Sequence, residues 1–281
     1  MAVGLLMMLL ACACRGDEGP ASPEAERGST PAAMPVPRTE VSGARWGDEI
    51  VVAGGLLPDN TASPRVDRYS PETNAWARLP DLPVALHHAA MATLGDALYV
   101  LGGYTTDGST WVESARVFRL ERGANAWSEA AALPVPRGAH AAVAVGGNIV
   151  VIAGVSGGQV SASTAVFDPL TGWRPGPPLR EAREHLAATT VGSRVYAIAG
   201  RVGSANYASV ETWDLGSEAW HAAPSLQHSR GGIGAATVRG KACVAGGEET
   251  AGTIAPVECL EDDAWRPIGD LRVPRHGLAV V

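Results

Sequence analysis

The chain has 281 residues, enough for one or two domains, and its 34 glycines and 20 prolines favour many short elements joined by turns over long helices. A formal charge of −7 excludes a nucleic-acid binder that works by neutralising phosphates. No apolar run reaches the ~18 residues that a membrane-spanning helix needs.

The first eighteen residues, MAVGLLMMLLACACRGDE, are a short apolar stretch ending in small residues, which reads as a targeting segment over 1–11. Leu9-Leu10-Ala11-Cys12 resembles the lipobox of bacterial lipoproteins, and that resemblance implies lipidation at Cys12 and a location in the cell envelope or outside the cell. With Ala13 after the cysteine, it implies the outer membrane of a two-membrane cell. No Lys or Arg precedes the apolar run, so the true start is expected further upstream. Residues 12–34 are rich in Pro, Glu, Gly, Ser and Ala, lack aromatics, and are expected to form a disordered tether.

From residue 35 onward the chain repeats. EIVVAGG, ALYVLGG, NIVVIAG, RVYAIAG and KACVAGG each end a β-branched run in a small residue and a glycine. Those second glycines, Gly55, Gly103, Gly154, Gly200 and Gly247, are spaced by 48, 51, 46 and 47 residues. A tryptophan follows each, at Trp76, Trp127, Trp173, Trp220 and Trp265, spaced by 51, 46, 47 and 45. Two independent markers keeping one period define a repeat. The third unit shows its parts. VPRGAHAAVAV opens one strand, Gly146-Gly147 signals a tight hairpin, NIVVIAG is a second strand, STAVFDPL a third, and Trp173 leads into a fourth. Four antiparallel strands in one short unit make a propeller blade, which must pack on its neighbours around an axis.

The paired glycine, the apolar-acidic third strand (Val66-Asp67, Val210-Glu211, Val257-Glu258) and the tryptophan resemble kelch repeats over roughly 35–281. The resemblance implies an all-β, kelch-type propeller with five complete four-stranded blades. LRVPRHGLAVV (271–281) aligns with VPRGAHAAVAV as the innermost strand of a sixth. Either five blades close the ring, or six do with one incomplete; the second is favoured, because residues 35–46 already supply an inner strand for the first blade. Ala153 and Ala199 replace the first glycine of the pair, so that position is read as needing only a small side chain. The second is read as needing positive φ. The tryptophans are read as fillers of the layer between blades.

Seventeen residues before each second glycine stand Arg38, Leu86, Arg137, Arg183 and Arg230, and Arg275 holds the same place at the end. One reading has each guanidinium bonding backbone carbonyls or a nearby acid. The other has a ring of bidentate donors facing an anionic ligand, a role that the kelch resemblance implies for this repeat position. Tyr104, Trp111 and Tyr207, in loops of varied length after the glycines, are the aromatic candidates for ligand contact. His87, His88, His140, His185 and His276 begin inner strands; His88 and His185 match in register while His140 lies one step on, so alternation sends them to different faces. No metal-binding spacing, nucleophile elbow or phosphate loop is present, and neither a metal nor a cofactor is expected. Cys243 and Cys259 are read as either a disulfide or buried free thiols.

The leading functional reading is non-enzymatic: a cell-envelope kelch protein presenting one rim to a protein or acidic-glycan partner, with no nucleic acid and membrane contact only through its lipid. The alternative is a carbohydrate-active propeller, such as a sialic-acid epimerase or mutarotase, in which an arginine would hold the sugar carboxylate.

Overall fold

A computed structural model describes residues 30–281 apart from Gly108 and Ser109, so the signal segment, Cys12 and most of the expected tether lie outside the described residues. Among the described residues every regular element is a strand. Five antiparallel four-stranded sheets follow one another along the chain. Blade 1 is Ser42–Trp46, Glu49–Ala53, Val66–Ser70 and Ala75–Arg78. Blade 2 is Ala90–Leu94, Ala97–Leu101, Val117–Glu121 and Ser128–Glu129. Blade 3 is Ala141–Val145, Asn148–Ile152, Thr164–Asp168 and Gly172–Gly176. Blade 4 is Ala187–Val191, Arg194–Ile198, Val210–Asp214 and His221–Ala223. Blade 5 is Gly234–Val238, Lys241–Ala245, Pro256–Glu261 and Ala264–Asp270. In blades 2–5 a two-stranded hairpin rises between the second and third strands.

The second strand of each blade is apolar throughout because it is covered on both faces: Val51, Leu98, Val150, Val195 and Val244 are fully buried. The cores lie between blades, since each cluster draws residues from two neighbours, as where Val150 and Val166 of blade 3 join Val195 and Trp213 of blade 4. The five repeat tryptophans tie the layers covalently distant in sequence. Each indole Nε1–H donates to a carbonyl of the preceding unit's exit: Trp127 to Pro80 (2.8 Å), Trp173 to Ala131 (2.9 Å), Trp220 to Pro177 (3.0 Å), Trp265 to Pro224 (2.8 Å) and Trp76 to Ala32 (2.8 Å). Ala32 thus stands for blade 1 where Pro80 stands for blade 2, and residues 30–34, at the end of the expected tether, run against blade 1.

The glycine pair differs in part from expectation. Both places are left-handed, with Ala153 at φ 60° and Ala199 at φ 54° in the first. The second lies further out, at φ 90–111° across the five units. There a Cβ would also come within 2.6 Å of the Thr39 carbonyl at Gly55, or of the Gly138 carbonyl at Gly154. An αL conformation admits alanine at some cost; the second conformation and its crowding do not.

The ring is six-membered. Around the axis the amide of His88 donates to Glu40, Ala139 to His88, His185 to Ala139, Gly232 to His185, Gly277 to Gly232 and Glu40 to Gly277, at 2.8–3.1 Å. All six residues are left-handed, at φ 51–64°. Leu278 and Val280 pack on Ala236, Ala245 and Val257 of blade 5, while Val281 meets Ile50, Val52 and Tyr69 of blade 1. Residues 277–281 therefore occupy the innermost place of a sixth unit between blades 5 and 1.

Candidate functional site

The arginine ring belongs to the framework. Arg38, Arg137, Arg183 and Arg230 are at most 2% exposed. Each places Nη1 on two carbonyls of its own blade, as Arg183 does on Ala199 (3.1 Å) and Ser209 (3.0 Å). The second nitrogen meets Asp67 from Arg38 (2.6 Å), Glu211 from Arg183 (2.7 Å), Glu258 from Arg230 and the Ser163 hydroxyl from Arg137 (3.0 Å). These donors are spent inside the blades, so the four are not the open anion-binding ring that the second sequence reading describes. In the second unit Leu86 takes the arginine's place and Phe118 the acid's, both buried in one apolar cluster. Arg275 is half-buried, and its Nε donates to Val273 (3.1 Å).

The aromatic candidates separate as well. Tyr104 is buried, and Tyr207 is half-buried with the Arg183 guanidinium over its ring. Trp111 is 48% and Val112 43% exposed on the blade 2 hairpin, Tyr104–Asp107 with Thr110–Glu113. Trp111 lies 4.5 Å from the His87 ring and 5.2 Å from that of His88. Its hairpin stands beside the mouth of the axis.

At that mouth sits a constellation that the sequence reading did not assemble. Residue by residue, the hydrogen-bonded ring reads Glu40, His88, Ala139, His185, Gly232 and Gly277. The ligating atoms of Glu40, His88 and His185 all lie within 4.8 Å of one another. His88 Nε2 is 3.2 Å from Glu40 Oε2, and His88 Nδ1 is 2.6 Å from Nδ1 of His87. His185 Nδ1 meets the Glu184 carboxylate, which also accepts from Arg201 Nε (2.8 Å). Arg201 pairs in turn with Glu248, and His276 Nε2 stands 3.7 Å from Glu40 Oε1. Burial pushes Glu40 up, and His185 and His276 pull it back in part. Burial, with His185 and His87 adding to it, holds His88 well below the ordinary histidine range, so its imidazole is neutral at pH 7. Register was the signal available: His88 and His185 share it, and Glu40 follows Arg38 by the same two residues as His185 follows Arg183. His140 does lie one step on, in the place of Val41, Leu186 and Ile233, where it is buried with neither ring nitrogen partnered.

The cavity over this ring is about 80 Å³. That suits an ion and a few waters and falls short of the ~300 Å³ of pockets that take organic ligands. A larger cleft of about 390 Å³ opens beside blade 1, lined by Leu56, Leu57, Pro58, Val273, Arg275 and His276 among others.

Cys243 and Cys259, paired across the second and third strands of blade 5, form a disulfide.

Comparison with known proteins decides the family. The kelch-motif model matches residues 37–83, 136–180 and 182–227, which are units 1, 3 and 4. This chain is a kelch-repeat β-propeller. It is 28% identical over 265 residues to the kelch-like protein terF of Aspergillus terreus, covering 86% of this chain and 58% of that one. It is 26% identical over 271 residues to alpha-scruin of Limulus polyphemus, covering 88% of this chain and 29% of the relative. The kelch propeller thus spans only part of these relatives' length. The solved structure of YjhT superposes with a TM-score of 0.77 at 16% identity, covering 88% of both chains, which establishes likeness of fold.

Proposed function

We propose that this kelch propeller is a non-catalytic binding module that engages a protein partner through the rim around the axial mouth. The observation that carries this reading is the blade 2 hairpin, which holds Trp111 and Val112 half in solvent on an otherwise regular framework. A large aromatic presented beside an apolar neighbour on a rigid hairpin is the type of anchor on which protein interfaces concentrate their energy. The 390 Å³ cleft adds apolar walls with Arg275 at its edge, suited to an acidic side chain or an acidic glycan residue. The setting we infer is the cell envelope, with lipidation at Cys12. The Cys243–Cys259 disulfide supports it, since such bonds persist in oxidising compartments.

The test is capture from solubilised envelope alongside a glycan array, with wild type and the double variant Trp111→Ala/Val112→Ser. A partner retained by wild type and reduced at least tenfold by the variant is expected, with thermal unfolding of the variant still a single cooperative transition well above the assay temperature. Equal retention by both proteins overturns the anchor.

The carbohydrate-active reading has one observation in its favour, the titratable Glu40, His88 and His185 at the axis. Conversion of one anomer or epimer of an acidic sugar into another by the purified chain, above the spontaneous rate, would replace the binding reading with the enzymatic one.

A further inference from the structure

Three of the six ring positions carry metal-ligating side chains and three carry Ala139, Gly232 and Gly277, which leave space in front of them. We propose that Glu40, His88 and His185 form a binding site for one divalent transition-metal cation, zinc foremost, on the propeller axis.

The donor set is two imidazoles and one carboxylate, the mixture that zinc takes and that the oxygen-seeking calcium and magnesium do not. Metal–ligand bonds of about 2.0–2.1 Å at tetrahedral angles place ligand atoms about 3.3 Å apart. His88 Nε2 and Glu40 Oε2 are already at 3.2 Å, and no pair in the trio exceeds 4.8 Å. Small rotations of side chains on a rigid backbone ring close the remainder.

The outer partners are those of a built site. Each histidine has its Nδ1 held from behind, His88 by His87 and His185 by the Glu184 carboxylate, which leaves Nε2 as the nitrogen for the cation. Arg201 fixes Glu184 in turn. A carboxylate–histidine–metal relay of this kind sets the tautomer and raises the basicity of the ligand. Glu184 and Glu248, both paired with Arg201, and Glu40 bring three carboxylates to one arginine at the mouth, a setting that favours a cation.

The site would act as a clasp. Hydrogen bonds of the ring join each unit only to its neighbours, whereas one cation on Glu40, His88 and His185 joins units 1, 2 and 4 directly. This inference is independent of the binding reading of the rim.

The experiment uses the full chain, purified with a tag that contains no histidine and stripped by a chelator, then titrated with zinc chloride and with cobalt chloride. One saturable equivalent of zinc is expected, together with the intense visible absorption of four-coordinate cobalt. Free zinc at a hundredfold excess over Kd should raise the melting temperature by several degrees. His185→Ala and His88→Ala should each weaken binding at least a hundredfold, and Glu40→Gln at least tenfold. These variants are expected to fold, because Ala139 already occupies the same ring place at φ 52°. His221→Ala/His228→Ala, on histidines away from the axis, should keep the full equivalent. Absence of a saturable equivalent overturns the proposal, as does its survival in His88→Ala/His185→Ala or its loss in His221→Ala/His228→Ala. Should His88→Ala not fold, Glu40→Gln and His185→Ala decide the matter alone.

Discussion

Blades 2 and 5 fill one slot with opposite chemistry. In blade 5 Arg230 stands just before the inner strand, and its guanidinium meets Glu258 with both side chains wholly buried. In blade 2 the same two places hold Leu86 and Phe118, both at 0% exposure in a common apolar cluster. The two sheets share strand order and each carries a hairpin between its second and third strands, although blade 5 has a bulge at Val257/Glu258. A buried ion pair and an apolar pair are therefore alternative solutions to one packing problem. This agrees with the finding that removing ions from water costs about what their attraction returns. Blade 3 shows an intermediate solution, in which Arg137 keeps its carbonyls and takes the Ser163 hydroxyl in place of an acid.

The strongest way to break the comparison is to remove one partner only. Glu258→Ala leaves Arg230 buried without its anion, and a loss of about 3–5 kcal/mol in urea-denaturation stability is expected. Converting both places to the blade 2 pair, Arg230→Leu/Glu258→Phe, should recover at least half of that loss. A double variant no better than the single one would mean that the slots differ in shape as well as in charge.

Acid tests the same idea with histidine. His140 is buried where Leu186 and Ile233 stand in other units, and burial pushes it down to about 3; His87 is pushed down to about 4 by the same cause. Both titrate near 6.5 when unfolded, so below that pH the unfolded chain binds more protons and stability falls as pH falls. The loss is absent above pH 6.5, amounts to at most about 1.4 kcal/mol per pH unit for each histidine, and ends near pH 4 for His87 and pH 3 for His140. His140→Leu should flatten that slope, measured as urea midpoint against pH. An unchanged slope would assign the acid sensitivity elsewhere.

A smaller effect separates the tryptophans. Trp220 is 2% exposed, whereas Trp173 is half-buried. Trp220→Phe forfeits the bond to Pro177 and should cost about 1 kcal/mol in thermal unfolding, with Trp173→Phe costing less.

The blade framework was legible because it repeats: the glycine spacing marks second-strand exits, the tryptophans mark inter-blade bonds, and the third strand of unit 3 fell within two residues of Thr164–Asp168, while the first strand begins at Ala141, six residues after the Val135 that opens VPRGAHAAVAV. The pairing of arginine with acid was on the page too, since Leu86 and Phe118 depart from the pattern together. The axial cluster was not, for a physical reason. Alternation along a strand assumes extended backbone, while Glu40, His88 and His185 are left-handed residues just before the strand begins. Their side chains turn toward the axis by that local twist, which a period of two does not describe.

The closed circle of amides has a consequence for folding order. Most of its bonds join residues about one repeat apart, but the one from Glu40 to Gly277 spans 237 residues. For a flexible chain, closing that loop rather than one of about 47 residues costs only about 1.4 kcal/mol more in entropy. The seam between blade 1 and the sixth unit is then the last joint made and the natural first point of opening, while the other units can zip along the chain in sequence. Such a molecule behaves as a linear repeat array that becomes a ring at its final step.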